Sequence, residues 1–261
     1  MIHYIYDGTF QGFLTAVADA LKNQDGDIKI STGNERQLDF FVESVSIATQ
    51  PETAESLINY LKSNLTREIV TDIAYCFLSE VDGIETTIYH YIRLIFEKGK
   101  GMSRNYSDDA ISKVRRTSDQ VDHEILRFQG FVRFRKLQNN LYYATIEPDH
   151  NILEMLAPHF SDRFADQQWV IHDLKRKIAI FYNGCHCRFI PFIENELNQT
   201  GNHNSDFSLT NFSYDLKEPD YQSLWEQYFK NIAITERKNP TLQRQRLPKR
   251  YWKHLVEKVE E

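Results

Sequence analysis

The sequence predicts an α+β fold in which a small antiparallel sheet, made of two hairpins with a helix across it, is surrounded by amphipathic helices. The first observation is residues 130–137 (GFVRFRKL), which alternate apolar and basic side chains as a half-buried strand does. The second is a return strand at 141–146 (LYYATI), rich in aromatic and β-branched residues, after a turn at 138–140. Because Asn tolerates positive φ in that turn, the two strands are predicted to form the first hairpin.

The third observation is the helix and second hairpin that follow. Apolar residues recur at helical spacing from Asn151, and Pro158 is expected to interrupt or restart this helix because it lacks a backbone donor. Residues 169–171 then enter a second hairpin, which turns at 173–176 and leaves through 178–182. The pattern therefore predicts four strands with one helix between the two hairpins.

The N-terminal third predicts a mixed scaffold. A short strand at 3–6 precedes a helix capped by Thr9, and two further strands are predicted at 28–30 and 38–48. Three amphipathic helices follow from Pro51, a residue that suits a first helical position. This part is expected to serve as structural support.

A longer helix is predicted to lead into the sheet, because apolar residues recur every three or four positions from Ile111 to Phe128. The candidate hinge before it is Gly99 to Gly101. The predicted segments are an N-terminal α+β helical scaffold at 1–100, a central helix plus antiparallel sheet at 101–194, a polar loop at 195–220 and a C-terminal helical basic tail packed on the core at 221–261.

The composition predicts a soluble cytoplasmic protein. With 41% hydrophobic and 26% charged residues, the 261-residue chain is ordinary for a globular protein. No apolar run approaches the roughly 20 residues that span a bilayer. No basic region followed by an apolar one opens the chain, so neither export nor a membrane partner is expected. Three cysteines cannot form a disulfide framework, which fits a reducing compartment.

The formal net charge of −6 conceals a basic region near the C-terminus. Residues 1–100 carry 15 acids and 8 bases, whereas residues 237–256, here called the C-terminal basic segment, carry seven bases and no acid. Such a segment favours anion binding. The candidate nucleic-acid-binding residues are the cations Arg237, Arg244, Arg246, Lys249 and Arg250, with Tyr251 and Trp252 as rings that could stack on bases. In the alternative interpretation, Tyr251 and Trp252 lock the tail onto the core.

A second set of polar residues lies around the central sheet. Two imidazoles, a carboxylate and two guanidiniums would suit a phosphate-bearing substrate, since His is the natural general base near neutral pH. The catalytic candidates are His159, Arg163, His172, Asp173 and Arg176, with Glu124 and Arg127 from the long helix. Adjacent strand residues face opposite sides, so a catalytic His172–Asp173 pair would require a turn or bulge. In the alternative interpretation His159 and Arg163 are helix-surface or interdomain hydrogen-bond donors, and Glu124 and Arg127 form a solvated ion pair.

No metal site or cofactor is predicted. Cys185, His186 and Cys187 bring soft donors together, but adjacent residues seldom give tetrahedral zinc geometry, and no CxxC or HExxH motif completes a site. The sequence also lacks a CxxxCxxC motif and a Gly-rich phosphate loop. The chain is therefore not expected to bind an iron–sulfur cluster itself.

Several separated motifs carry a resemblance to a known family. They are YDGTF at 6–10, GFVRF at 130–134, EPDH at 147–150, APHF at 157–160, WVIHD at 169–173, ERKNPTLQ at 236–243 and LPKRYWK at 247–253. On these motifs the chain resembles the bacterial family of probable DNA metabolism proteins, domain of unknown function 4130. The resemblance implies a role beside a partner radical SAM protein thought to modify or repair DNA.

The first hypothesis is an accessory protein of DNA repair or modification that acts with a radical SAM partner and binds nucleic acid, with DNA as the candidate. The first alternative is a glycosylase-like or phosphoesterase-like hydrolase that uses the region of His159, Arg163 and Asp173. The second alternative is a structural adaptor. Convergence of the catalytic candidates in one cleft would favour a ligand site, whereas a continuous basic strip would favour binding.

Overall fold

The computed structural model describes residues 1–22, 27–33, 43–191, 213–232, 234–237 and 239–258. The chain packs into two compact units, residues 1–122 and 123–261. The division falls inside the long helix Asp109–Phe131. The four segments predicted from the sequence stay predictions, and residues 195–212 of the predicted polar loop lie outside the described residues.

The first unit contains a three-stranded parallel sheet. Its strands are β1 (Ile2–Ile5), β2 (Ile28–Ser31) and β3 (Glu43–Ser46), with β1 in the centre. The strand predicted at 38–48 is confirmed over 43–46, and residues 38–42 lie outside the described residues. Two adjacent parallel strands need a long crossover connection, and a helix, Phe10–Lys22, lies in the connection between β1 and β2.

Helices supply the rest of the first unit. They are α1 (Phe10–Lys22), α2 (Pro51–Asn64), α3 (Arg67–Leu78), α4 (Ile84–Lys98) and the first part of α5 (Asp109–Phe131), with a 3₁₀ turn at Lys100–Arg104. Thr9 caps α1 as predicted, because its hydroxyl accepts a hydrogen bond from the Gly12 backbone N–H at 2.9 Å. The apolar stripes of these helices meet the sheet in one core that includes Phe13, Ile30, Leu61, Ile73 and Ile92.

A buried carboxylate ties three of these helices together. Asp72 on α3 accepts hydrogen bonds from the Arg115 guanidinium at 2.8 Å and the Ser118 hydroxyl at 2.7 Å, both on α5, and from Tyr91 on α4 at 3.4 Å. A buried charge is tolerated only with such partners. An open pocket of about 330 Å³ adjoins Asp72 between α3 and α5.

The second unit contains a five-stranded mixed sheet. Its strands lie side by side in chain order: β4 (Arg135–Lys136), β5 (Tyr142–Ile146), β6 (Trp169–Asp173), β7 (Ile178–Tyr182) and β8 (Cys187–Pro191). Both predicted hairpins, β4–β5 and β6–β7, are antiparallel, but β5 and β6 run parallel. The prediction of an antiparallel sheet is therefore wrong. The helix between the hairpins returns the chain to the end where β5 began, so β6 starts in the same direction.

Two local predictions in this unit are also corrected. The helix α6 (Leu153–Arg163) continues through Pro158, which was expected to interrupt it. Because Pro158 has no backbone N–H, the Glu154 carbonyl lacks its usual helical donor. Both residues are exposed, so water can donate to that carbonyl instead. The strand predicted at 130–137 is reduced to β4 because α5 extends to Phe131.

The C-terminal part of the second unit is helical. It contains α7 (Glu218–Ile232), a 3₁₀ turn at Thr235–Arg237, α8 (Pro240–Arg246) and 3₁₀ turns at Lys249–His254 and Val256–Lys258. The Asn239 side chain caps α8 by accepting a hydrogen bond from the Leu242 backbone N–H at 3.0 Å. Within the described ranges, no helix has the length and apolar character needed to cross a membrane.

Candidate functional site

The loop after β5, residues 147–150 and here called the acidic loop, is fixed by a buried carboxylate. Glu124 on α5 is only 5% exposed. It accepts hydrogen bonds from the backbone N–H groups of Asp149 at 2.9 Å and His150 at 2.8 Å, and from the Tyr251 hydroxyl at 2.8 Å. Glu124 is therefore engaged internally rather than in a solvated ion pair with Arg127, which is exposed on α5.

A buried ion pair holds the same loop from the sheet side. Asp173 is fully buried at the end of β6, and its carboxylate accepts hydrogen bonds from the backbone N–H of Lys175 at 2.9 Å and the Arg176 guanidinium at 2.9 Å. Arg176 also donates to the carbonyl oxygens of Pro148 at 3.3 Å and Asp149 at 2.9 Å. The partners of both charges lie in the turn and the acidic loop, so the pair positions the backbone of that loop.

The acidic side chains of this loop meet the C-terminal basic segment. The Arg250 guanidinium donates to the Asp149 carboxylate and to the Tyr251 hydroxyl. The Lys253 ammonium donates to both carboxylate oxygens of Glu147 at 2.7 Å. These ion pairs are largely solvent-exposed, and exposed pairs contribute about 0–1 kcal/mol each.

Histidine 254 lies against the same acidic residue. His254 Nε2 is 3.6 Å from Glu147, and its Nδ1 is 3.0 Å from the Thr145 hydroxyl. Burial lowers the pKa of His254, and the neighbouring Glu147 opposes that shift.

Tyr251 is a packing residue in this arrangement. Its side chain is 3% exposed, and its ring makes an edge-on contact with Phe128, with the ring centres 5.0 Å apart. Burial, followed by the nearby Glu124 carboxylate, raises the pKa of its hydroxyl. A ring with no exposed face cannot stack on a base, so this position favours the alternative interpretation in which Tyr251 locks the tail onto the core.

Trp252 occupies an intermediate position between core and solvent. Its indole N–H donates to the Leu247 carbonyl at 3.0 Å. The ammonium groups of Lys249 and Lys258 lie 5.4 and 5.0 Å from the ring centre, within the range of cation–π contacts. Lys258 is buried, whereas Lys249 is exposed. The ring is therefore half-buried, with one exposed and movable lysine over it.

The last 3₁₀ turn is tied down by a second carboxylate. Glu257 accepts hydrogen bonds from the Arg133 guanidinium at 2.7 Å and the Trp225 indole at 2.9 Å. Burial would raise the pKa of Glu257, but the hydrogen bonds from Arg133, from its own backbone N–H and from Trp225 together outweigh burial and keep the pKa below its usual value. Residues 249–256, here called the anchored half, are thus attached through Glu124, Asp149 and Glu147, and the turn that follows them is attached through Arg133.

Residues 237–246, here called the outer half, differ in this respect. Arg237, Arg244 and Arg246 are all exposed. Arg244 donates to the carbonyl of Pro240 in its own helix at 3.2 Å. Among the residues that the structure describes, no acid lies within ion-pair distance of these three guanidiniums. Their charge is available to a ligand.

The remaining catalytic candidates do not gather into one cleft. Phe160, next to His159, packs on Trp169 at the start of β6, whereas Asp173 lies four residues along that strand, about 13 Å away. His172 is buried on the opposite face from Asp173, with Nδ1 2.8 Å from the Tyr143 hydroxyl. The structure thus brings together Glu124, Asp173 and Arg176 around the acidic loop and leaves His159 and His172 elsewhere.

Two of these candidates lie near the end of α6. His159 makes an edge-on ring contact with Phe160, and its Nε2 is buried without a hydrogen-bond partner in the described part of the chain. Arg163 is exposed, with its guanidinium 5.8 Å from the centre of the Phe164 ring. Among the described residues, neither side chain has an acidic partner that would suit a general acid–base pair.

Sequence reasoning did not single out the acidic loop as part of a site. Glu147 and Asp149 were visible only as members of the EPDH motif, and their cationic partners lie more than 100 positions away. The signal was indirect: the C-terminal basic segment contains no acid, so any ion pair that its bases form must use an acid from another part of the chain. Lys253 belongs to the same network; the sequence marked it as one of the bases that could neutralise phosphates, not as a partner of Glu147.

An apolar helix face lies close to this site. Tyr221, Leu224, Tyr228 and Ile232 recur every three or four residues along α7, and each is more than half exposed. An apolar stripe of this size on a helix is typical of a surface that another molecule covers. Trp225 and Tyr228 stack with their ring centres 5.7 Å apart.

In the described residues, no three His, Cys, Asp or Glu side chains are grouped so that they could hold a metal ion. Cys185 and Cys187 are exposed free thiols.

Comparison with curated proteins finds no match to this chain. The model of a family described as a domain of unknown function, DUF4130, matches residues 82–257. This region covers all of α4 and α5 and the whole described sheet of the second unit, and it extends to Glu257. Since the match spans well over half of the sequence, the chain belongs to this family of domains of unknown function.

Proposed function

We propose that this protein is an accessory factor of DNA repair or modification that binds nucleic acid through its C-terminal basic segment. The observation that carries the proposal is the outer half, where Arg237, Arg244 and Arg246 are exposed and lack acidic partners in the described chain. Exposed guanidiniums bind phosphate oxygens well because their planar donors match the geometry of the phosphate group. The nucleic-acid backbone offers such oxygens at regular intervals.

The position of Trp252 supports contact with unpaired bases. Lys249 is exposed and lies over the indole ring, so the movement of one flexible side chain uncovers the ring. The displaced ammonium would then be close to a phosphate while a base stacks on the indole. Stacking on an aromatic side chain is worth about 1–3 kcal/mol per base and requires that the base be unpaired. We therefore expect single-stranded DNA to bind more tightly than duplex DNA.

The test is the affinity of the full-length protein for fluorescently labelled single-stranded and duplex DNA across a salt series. Arg246→Ala and Lys249→Ala should weaken binding at low salt and reduce the salt slope by about 0.7 to 0.9 per lost contact. Trp252→Ala should weaken single-stranded binding more than duplex binding. Arg116→Ala, an exposed arginine on α5 in the first unit, is the matched control. Absence of binding at low salt, or an equal loss in the control, would overturn the proposal.

The proposed partner is a radical SAM protein, as the family resemblance implies. The apolar stripe on α7 supports a protein partner, because its side chains are too exposed to contribute to the core of the described unit. Purified radical SAM protein from the same organism should co-elute with this chain in size-exclusion chromatography. Tyr228→Glu should abolish co-elution, whereas Tyr60→Glu, at an exposed tyrosine on α2, should not. Separate elution of the wild-type proteins would refute the partnership.

The hydrolase alternative is less well supported by the geometry. It requires His159 and Asp173 to act on one substrate, but they lie near opposite ends of β6, and Asp173 is committed to Arg176. If the protein nevertheless hydrolyses a phosphoester or a glycosidic bond in DNA, His159→Ala should abolish that turnover without weakening DNA binding. The adaptor alternative predicts neither turnover nor DNA binding.

A further inference from the structure

The anchored half contains two cations that already hold carboxylate ligands. Arg250 donates to Asp149, and Lys253 donates to both oxygens of Glu147. A carboxylate and a phosphate group present similar oxygen acceptors to a guanidinium or an ammonium. Nucleic acid that approaches the C-terminal basic segment therefore meets cations whose donor N–H groups are already partly engaged by carboxylates of the protein.

Hydrogen bonds hold the backbone of the acidic loop in place and so keep the Glu147 and Asp149 side chains beside Lys253 and Arg250. Glu124 binds the N–H groups of Asp149 and His150, and Arg176 binds the carbonyl oxygens of Pro148 and Asp149. The loop is thus fixed on both its donor and its acceptor sides. The side chains of Glu147 and Asp149, by contrast, are one-third and one-half exposed, so they can rotate into solvent when a competitor arrives.

We infer that the carboxylates of Glu147 and Asp149 compete with nucleic-acid phosphates for Lys253 and Arg250. By occupying these two cations, they lower the affinity of the C-terminal basic segment for nucleic acid. The carboxylates can compete only if the segment binds nucleic acid, so this inference rests on the proposed function. This competition is weak because exposed ion pairs are only slightly favourable, so the phosphates of a polyanion can displace the carboxylates. We therefore expect the anchored half to add to binding only where several closely spaced phosphates can displace the carboxylates.

The experiment uses the full-length protein and a labelled oligo(dT) of about 20 nucleotides. Glu147→Gln and Asp149→Asn keep the shape of each side chain and remove its charge. We expect each variant to bind about two- to fivefold more tightly at low salt, and the salt slope to steepen by up to about 0.7 for each released cation. Affinity that is unchanged or lower in both variants would overturn the inference.

Two controls separate this effect from a general change in net charge. Glu154→Gln and Asp166→Asn remove exposed acids elsewhere in the second unit. An equal gain in these variants would overturn the inference. In addition, Glu147→Gln should give no gain in a Lys253→Ala background at a pH where His254, whose pKa is lowered by burial, is neutral, since Glu147 then has no charged partner to release among the described residues. A gain that survives in that background would count against direct competition.

The outcomes also distinguish this inference from the proposed function. If the wild-type protein does not bind oligo(dT), or if Arg246→Ala has no effect, the proposed function itself fails. If the wild type binds and Arg246→Ala weakens it, but Glu147→Gln and Asp149→Asn change nothing, only the internal competition fails. Thermal unfolding of each variant verifies that it is folded.

Discussion

The two halves of the C-terminal basic segment have similar composition but different surroundings. In the anchored half, Tyr251 is buried and Arg250 and Lys253 pair with the acidic loop. In the outer half, Arg244 and Arg246 lie on a short exposed helix without acidic partners among the described residues. The difference teaches that a run of basic residues cannot be assigned one role. Part of this run attaches the tail, and part is available to a polyanion.

The largest expected effect is on the attachment through Tyr251. Tyr251→Ala removes a buried ring that packs against Phe128, and such truncations cost about 3–5 kcal/mol of unfolding free energy. Tyr251→Phe keeps the ring and loses the two hydrogen bonds of the hydroxyl, one donated to Glu124 and one accepted from Arg250, at about 1–2 kcal/mol in total. Urea unfolding followed by circular dichroism measures both. If Tyr251→Ala changed stability no more than Tyr251→Phe, the tail would not be anchored by this ring.

A slightly smaller loss of unfolding free energy is expected for substitution of Glu124. Glu124→Ala leaves two backbone N–H groups and the Tyr251 hydroxyl without their acceptor, which costs about 2–4 kcal/mol. Glu154→Ala, at an exposed acid on α6, is the matched control and should stay within about 0.5 kcal/mol of the wild type. The same urea titration compares the two variants. Equal stabilities would contradict the role assigned to the buried carboxylate.

The third effect is a pH dependence from Glu257. Burial raises its pKa, but the hydrogen bonds to its carboxylate together lower the pKa further in the folded protein, so the unfolded chain binds this proton first as the pH falls. The stabilisation is present above the ordinary pKa of a glutamate and is lost as the pH falls through the lower folded value. Unfolding free energies measured from pH 7 downwards should therefore fall less steeply in Glu257→Gln than in the wild type. Parallel curves would show that Glu257 does not contribute.

The smallest expected effect on stability is in the outer half. Arg244→Ala combined with Arg246→Ala should change the unfolding free energy by no more than about 0.5 kcal/mol, because both side chains are exposed. The same double variant should lose about tenfold or more in affinity for single-stranded DNA at low salt. A large loss of stability would mean that the outer half is attached to the core as the anchored half is, which would contradict the difference between the two halves.

The sequence was sufficient for features that depend on nearby residues. Helical stripes, the Thr9 cap and both hairpins of the second unit follow from spacing within a few positions, and the structure has them. The parallel pairing of β5 with β6 was not predictable in this way, because it depends on how α6 returns across the sheet. Pro158 likewise stays inside α6 because its neighbourhood is exposed, which no local pattern reveals.

The candidate site shows the same limit more clearly. Glu124 and Tyr251 are 127 positions apart, and Asp149 and Arg250 are 101 apart, so neither pairing could be inferred from spacing. The residue types were nevertheless informative. The basic segment, Glu124, Asp173 and Arg176 were all singled out, and the structure assigns the last three to contacts that position the acidic loop.

The most direct test of the central claim is photo-crosslinking of the full-length protein to a single-stranded oligonucleotide that carries photoreactive thymidines, followed by mass spectrometry of the crosslinked peptides. Contact with the C-terminal basic segment predicts crosslinks within residues 239–253, including Trp252, and loss of these crosslinks in the Arg244→Ala and Arg246→Ala double variant. Crosslinks confined to other parts of the chain, or no crosslinks under conditions in which the oligonucleotide binds, would contradict the account.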